Sequence, residues 1–296
     1  MSDPPPGAGE PSGRPLVSAV IPTFNRRELV PEAVRSVLAQ TWREVEAVVV
    51  DDGSTDGTEE AVRAIPDPRV RYVRKEHSGI AATRNRGIAE ARGAFLAFLD
   101  SDDLWVPGKL EKQMPLFRGG EGFVYARYRS VRGGTVLRSK PVGGPSGNIF
   151  HALLKRIFVQ MSTVVVRREA AREAGPLDEG LAYADEYDFI LRLAERFPCG
   201  FVDEDLVIYR IHGANESRKE RVRISENLEV YRRIFRREGP DAATRRIASR
   251  RVARYAAQLA RLLASEGDRE GAERALREGL GARPWSPALR WALWRL

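Results

Sequence analysis

Along the first hundred residues, short runs of Val, Ile, Leu and Ala alternate with stretches whose apolar positions recur at helical spacing. Short β-rich runs at 16–21, 45–50, 70–73 and 94–99 predict strands, and segments at 28–40, 58–65 and 80–92 predict helices. Strands and helices in strict alternation build β-α-β units, which form a mostly parallel sheet with right-handed crossovers. Ligands meet such sheets at the carboxyl ends of the strands. Three polar loops fall there: Pro22-Thr23-Phe24-Asn25, Asp51-Asp52-Gly53-Ser54 and Asp100-Ser101-Asp102-Asp103.

The pattern loosens afterwards. A helix is predicted over 109–117, and strands over 123–131 and 136–139 flank a Gly133-Gly134 turn. Segment 141–147 has the composition of a mobile loop. Segment 185–196 carries Phe189, Ile190, Leu193 and Ala194 near helical spacing, and short strands are predicted at 200–202 and 206–209. Beyond about 215 the composition turns to Arg, Ala, Leu and Glu, which predicts consecutive helices over 222–296. Segments 253–263 and 272–280 read as a helical hairpin like a single tetratricopeptide unit. The last stretch holds Trp285, Trp291 and Trp294 with Arg290 and Arg295, a pattern that suits packing on the domain or a membrane interface. The expected organisation is a disordered Pro- and Gly-rich tail over 1–15, an α/β domain over 16–215 and a helical region over 216–296.

Charge and cysteine content narrow the classes. The 296 residues carry a net charge of +8, concentrated toward the C-terminal third in pairs such as Arg232-Arg233, Arg236-Arg237 and Arg245-Arg246. That region could attract nucleic acid, an anionic membrane or a phosphorylated substrate, and charge alone does not choose. A single cysteine, Cys199, excludes an internal disulfide framework and a cysteine-based zinc site. No run approaches about 20 apolar residues, so no bilayer-spanning helix is predicted.

The acidic loop is the strongest chemical signal. Asp100, Asp102 and Asp103 crowd like charges at one strand end, which costs free energy unless a cation or protons neutralise them. Oxygen ligands suit Mg²⁺ or Mn²⁺; a capped helix N-terminus is the plainer alternative. Asp52 sits at another strand end, where a carboxylate beside Gly53 accepts hydrogen bonds from a base N–H or simply closes a turn. Neither a Gly-x-x-x-x-Gly-Lys phosphate loop nor a Gly-x-Gly-x-x-Gly after the first strand is present.

Five segments in order carry a resemblance: Val17-Ser18-Ala19-Val20-Ile21-Pro22-Thr23-Phe24-Asn25; Ser36-Val37-Leu38-Ala39-Gln40-Thr41; Val50-Asp51-Asp52-Gly53-Ser54-Thr55-Asp56-Gly57-Thr58; Gly79 with Arg84-Asn85-Arg86-Gly87; and Leu99-Asp100-Ser101-Asp102-Asp103-Leu104-Trp105 with Pro107. Over 16–110 the chain resembles a family 2 glycosyltransferase with the GT-A fold. The resemblance implies a nucleotide-sugar donor (UDP-, GDP- or dTDP-sugar), a divalent metal, Mn²⁺ or Mg²⁺, and transfer with inversion. It assigns Pro22, Thr23 and Asn25 to the nucleotide pocket, Asp52 to the base, and Arg84 to ribose or phosphate. Asp102 would ligate the metal directly, and Asp100 would bond ribose or reach the metal through water. Asp103 either joins them or only orients the loop.

Inversion needs a base for the acceptor hydroxyl. Family members often carry Glu-Asp-x-Asp-Leu-Trp-Leu-Arg at a helix start, with the second acid as base; here the segment reads Asp185-Glu186-Tyr187-Asp188-Phe189-Ile190-Leu191-Arg192. Glu186 matches the base position, and the swapped order keeps Asp185 as the alternative. Tyr209-Arg210-Ile211-His212-Gly213, with Asn215 and Ser217, also resembles a family segment, which makes His212 a metal or diphosphate contact or a plain surface residue. The implied role is synthesis of a surface polysaccharide or glycolipid at a glycan or glycolipid acceptor. The expected setting is cytoplasmic, which a single cysteine fits, with peripheral membrane contact through the C-terminal helices if their tryptophans lie in an interface, and no nucleic acid. Two other classes remain: a sugar-nucleotide-forming nucleotidyltransferase, which would show a Gly-rich basic loop where this chain has Pro-Thr-Phe-Asn, and a non-catalytic binding or scaffold protein, which loss of the acidic cluster would favour.

Overall fold

The computed structural model describes residues 13–140, 143–212 and 220–295. Most of the expected tail, the start of the 141–147 loop, Gly213, Asn215, Ser217 and the expected boundary at 215/216 lie outside the described residues. The first half follows the hydrophobic pattern. Strands β1 (Val17–Thr23), β2 (Val45–Asp51), β3 (Val70–Arg74) and β4 (Phe95–Phe98) are connected by helices α1 (Val30–Leu38), α2 (Thr58–Arg63) and α3 (Ile80–Glu90). They lie parallel in the order β3-β2-β1-β4. Both faces of β1 and β2 are buried, as strands so rich in Val, Ile and Ala require. Val20, Leu96 and Phe98 face one core layer, while Ala19, Ile21, Ala97 and Leu99 face the other.

The second half mixes directions. It contains β5 (Leu104–Trp105), α4 (Lys109–Gln113), β6 (Phe123–Arg132), β7 (Thr135–Lys140), α5 (Phe150–Lys155), β8 (Val165–Arg167), α6 (Arg168–Ala174), α7 (Asp185–Arg196) and β9 (Cys199–Arg210). Strand β8 lies antiparallel between β4 and β6, β9 runs parallel to β6, and β5 closes the edge antiparallel to β9. The predicted 109–117 helix stops at Gln113 and continues as a 3₁₀ turn, Met114–Leu116. Pro115 explains the break, because it has no N–H to give the α-helical ladder. The two short strands expected at 200–202 and 206–209 are one strand, β9, with register shifts opposite Ala126, Arg127 and Tyr128. Asp203 and Asp205, which look like a turn in the sequence, bind Arg127 at 3.2 and 3.1 Å. Strands β5 and β8 and helices α5 and α6 are too short to show a period and were not expected.

Four helices follow: α8 (Glu220–Arg236), α9 (Ala242–Ser265), α10 (Arg269–Ala282) and α11 (Pro287–Trp294). The predicted hairpin is formed by α9 and α10, with Gly279 of α10 so close to α9 that an added Cβ would stand 3.0 Å from the Ala256 Cβ. Helices α8 and α9 are not a detachable appendix. Leu228, Val230, Tyr231, Ile247, Val252 and Ala256 are buried in the same core layer as Leu96 and Phe98. Burial of each large apolar side chain there is worth about 1.5–3 kcal/mol.

Candidate active site

The cleft lies at the carboxyl ends of β1, β2 and β4. Pro22 and Thr23 end β1 in register with Val50 and Asp51, and both are buried. The Thr23 Oγ1 has no hydrogen-bond partner among the described residues, an orphan that a bound ligand would satisfy. Asn25 holds a left-handed backbone, φ 51°, which Asn tolerates better than most residues. Its N–H donates to Ser54 Oγ at 2.8 Å and its Oδ1 accepts from the Thr55 N–H at 2.9 Å, joining the loops after β1 and β2. Beside it opens a cleft of about 320 Å³ lined by Asn25, Arg26, Arg27, Leu29, Asp56 and His212.

The two adjacent acids at the end of β2 divide their work. Asp51 is wholly buried and accepts from the Ser54 N–H at 2.8 Å and from the Tyr72 hydroxyl, so it builds the turn. Asp52 faces the segment from Lys75 to Gly79. Its carboxylate accepts from the Ser78 and Gly79 N–H groups at 2.9 Å each and from Lys75 Nζ, and His77 Nδ1 lies 2.8 Å away. Burial works to raise its pKa, but these donors outweigh it and hold the carboxyl below its ordinary value. The His77 ring lies 4.4 Å from the ring of Phe24.

In the acidic loop each carboxylate has a different partner. Asp103 is wholly buried; it accepts from Ser162 Oγ at 2.7 Å, Gln160 Nε2 at 3.1 Å and the Arg210 N–H at 3.2 Å. Burial, reinforced by Asp100 and Asp102, pushes its carboxyl well above the usual range. Asp103 therefore shapes the loop. Asp102 Oδ2 lies 2.9 Å from His212 Nε2, which the end of β9 delivers to the same spot. Asp100 turns the other way, to Arg84.

Arg84 is the hub. Helix α3 rests on β1 so tightly that a Cβ on Gly87 would meet Val20 Cγ1 at 2.3 Å, and this contact seats Arg84 beneath the cleft. Its guanidinium, 5% exposed, donates to Asp185 Oδ2 at 2.7 Å and Asp100 Oδ1 at 2.8 Å, with Glu186 Oε2 at 3.6 Å. Asp185 is buried, whereas the Glu186 side chain is 32% exposed. Burial, with the like charges of Asp100 and Asp185, pushes the Glu186 carboxyl up to about 8 against the pull of Arg84. Asp100 is raised by burial and by Asp102, again against Arg84.

Glu226 of α8 fixes the approach to this helix. Its carboxylate accepts the N–H groups of Ala182, Tyr183 and Ala184 at 2.9, 2.7 and 2.9 Å, the three residues that lead into α7. One turn further, the Tyr187 and Tyr231 hydroxyls meet at 2.6 Å. The presentation of Asp185 and Glu186 thus depends on the C-terminal helices.

Among the described residues no group of three His, Cys, Asp or Glu side chains is arranged to hold a metal. The donor set still fits one that also uses substrate oxygens. The 2.9 Å between Asp102 Oδ2 and His212 Nε2 matches the edge between adjacent ligands of an octahedral ion, about 3 Å for bonds near 2.1 Å. Mg²⁺ commonly takes one or two protein ligands plus substrate phosphates.

The sequence-predicted residues therefore gather at one cleft in two groups, Pro22, Thr23, Asn25 and Asp52 on one side and Arg84, Asp100, Asp102, Asp185, Glu186 and His212 on the other. Sequence reasoning missed Ser162, Lys75, Arg210 and Glu226. Only Arg210 left a signal, through its place two residues before His212. A larger cavity of about 550 Å³ between α7 and α8 is lined by Arg192, Arg233 and Arg237. Those arginines are neutralised by Asp188, Glu229 and Glu195, and the reactive groups described above lie elsewhere.

A family model described as Glycosyl transferase family 2 matches residues 18–175. The chain is 33% identical over 205 residues to an uncharacterized glycosyltransferase of Rickettsia felis, covering 68% of this chain and 34% of that protein, so it spans about a third of that relative's length. It is 31% identical over 228 residues to the putative teichuronic acid biosynthesis glycosyltransferase TuaG of Bacillus subtilis, covering 75% of this chain and 90% of that one. The crystal structure of S. aureus TarS 1–349 in complex with UDP-GlcNAc matches with a TM-score of 0.71 at 17% identity, over 94% of this chain and 87% of that one. The chain belongs to glycosyltransferase family 2 and has the GT-A fold.

Proposed function

We propose that this protein moves a sugar from a nucleotide-sugar donor to an acceptor hydroxyl with inversion at the anomeric carbon, and that Glu186 is the base. The observation that carries the reading is the arrangement around Arg84: the partly exposed Glu186 carboxyl, raised toward neutrality, stands across one guanidinium from Asp100 and the Asp102–His212 pair. The acceptor hydroxyl gives its proton to Glu186 as its oxygen bonds to the anomeric carbon, and the bond to the diphosphate oxygen breaks with its electron pair leaving on the diphosphate. Asp102 and His212 would hold Mn²⁺ or Mg²⁺, which when bound stabilises the charge gathering on the leaving group. Thr23 and Asn25 line the nucleotide end; Asp52 reaches the base only if the segment from Lys75 to Gly79 shifts, since its lone pairs are engaged there. Likeness to a UDP-GlcNAc complex and to a putative teichuronic acid biosynthesis glycosyltransferase supports a UDP-sugar donor and a surface-glycan acceptor.

Thermal unfolding with UDP, GDP or dTDP, with and without Mn²⁺, tests this. Binding at a hundredfold excess over Kd adds about 2.7 kcal/mol of stability. The expected result is stabilisation by one nucleotide that grows with Mn²⁺, and loss of the Mn²⁺ increment in Asp102→Ala. An equal increment in that variant overturns the metal assignment; no response to any nucleotide overturns the donor reading.

Glu226 acts in the same scheme as a positioning residue. Glu226→Ala frees three amides at the entry to α7 and is expected to lower kcat roughly 10–100-fold, with the donor KM nearly unchanged. Glu226→Gln keeps a carbonyl acceptor and should recover part of the loss. Steady-state kinetics separate this from simple destabilisation, which would leave the kcat of the folded fraction intact.

A further inference from the structure

We infer that helix α11 and the arginine-rich helices beside it form a docking surface for an anionic lipid bilayer. Large apolar side chains are normally buried, yet Trp285, Trp291 and Trp294 are 85%, 58% and 82% exposed, while Trp42 and Trp105 are buried. Helix α11 seats Leu289 in a small core shared with α9 and α10. At 100° per residue its opposite face presents Trp291 and Trp294 side by side, with Arg290 and Arg295 on the two flanks. The Arg290 guanidinium lies 5.2 Å above the Trp285 ring and that of Arg295 lies 4.4 Å above Trp291. Indole rings flanked by guanidinium groups suit the headgroup layer of a membrane, where the rings enter the acyl boundary and the cations meet phosphates.

Charge selects this occupant over a neutral one. Residues 220–296 hold 18 arginines against 10 acidic residues, which accounts for the whole net charge of the chain. On α9, Arg246, Arg250, Arg254 and Arg261 are exposed and recur at helical spacing on the face opposite Val252, Ala256 and Ala260. Each cation near an anionic surface contributes about fivefold in binding. No helix among the described residues is long and apolar enough to cross a membrane, so the contact is one that lies on the surface. It goes beyond the donor chemistry and needs none of it.

The test is sedimentation of the full chain with vesicles of phosphatidylcholine alone or of an equimolar mixture with phosphatidylglycerol, without donor or metal, followed by tryptophan emission. The expected result is binding at least about tenfold stronger to the mixed vesicles, a blue shift on binding, and weakening by high salt. Trp291→Ser with Trp294→Ser, both exposed and harmless to the core, should remove the shift and most of the binding while the thermal melt stays unchanged. Equal binding by this double variant, or no binding of the wild type to the mixed vesicles, overturns the proposal. So does a dimer that the double variant dissociates without vesicle binding, since the covering partner is then a second copy.

Discussion

Glu186→Gln is expected to lower kcat by roughly 10²–10⁴-fold with little change in nucleotide affinity, because glutamine keeps the size and hydrogen bonding but cannot take the acceptor's proton. Its counterpart Asp185 is buried against Arg84, 2% exposed and 2.7 Å from a guanidinium nitrogen, whereas the Glu186 side chain is 32% exposed. Asp185→Asn should therefore act mainly on stability. The pH dependence gives a second readout. Burial and like charges push the Glu186 carboxyl up to about 8, and a base must be ionised to act. In the free enzyme kcat/KM should then rise with pH to a plateau above about 8, a limb absent from the residual activity of Glu186→Gln. For stability the sign is also set. A carboxyl raised in the folded state favours folding while protonated and loses that contribution as pH climbs through its folded pKa. The melting temperature of Glu186→Gln should therefore gain on the wild type between about pH 5 and 9. Turnover at the wild-type level in Glu186→Gln, with Asp185→Asn folded but inactive, would move the base to Asp185.

The parallel half of the sheet was legible because its strands are short β-rich runs set between helical segments, and β1, β2 and β4 are buried on both faces. The mixed half was not. A three-residue strand such as β8 has no period to read, and the Asp203 to Asp205 stretch looks like a turn until Arg127 is brought beside it by a strand from far earlier in the chain. The site shows the same division. Asp100 and Asp102 were visible because carboxylates crowded at a strand end are chemically conspicuous, and Asp185 and Glu186 because their segment resembles one of the family's. The sequence could not say that Asp103 is sealed beneath Ser162, or that the Asp52 carboxylate is enclosed by the segment from Lys75 to Gly79, since those partners come from separate loops. Helices α8 and α9 read as a separate basic extension. Their arginines mark the outer face, while Leu228, Val252 and Ala256 are buried on the inner one, in the main core. Truncation after about 241 would therefore remove part of that core as well as the surface.

Arg84→Met is expected to destabilise the protein by about 3–5 kcal/mol at neutral pH, the usual cost of removing one partner of a buried charge cluster. Methionine fills much of the space, so the loss is electrostatic: Asp100, Asp185 and Glu186 lose the cation they share. Asp100 and Glu186 are already raised by burial, and without Arg84 opposing it the rise must grow. Raised carboxyls fold best when protonated, so the variant should recover as pH falls and be worst above about pH 8. Arg84→Lys keeps the charge but loses the planar fork that reaches Asp185 and Asp100 together, and should fall between the two in stability while transferring sugar poorly. Urea unfolding at about pH 5.5 and 8.5 decides the matter. A deficit below about 1 kcal/mol, or one that grows toward acid, would mean that Arg84 does not balance these carboxylates, and the account of how Asp100 and the base helix are held at one cleft would fail with it.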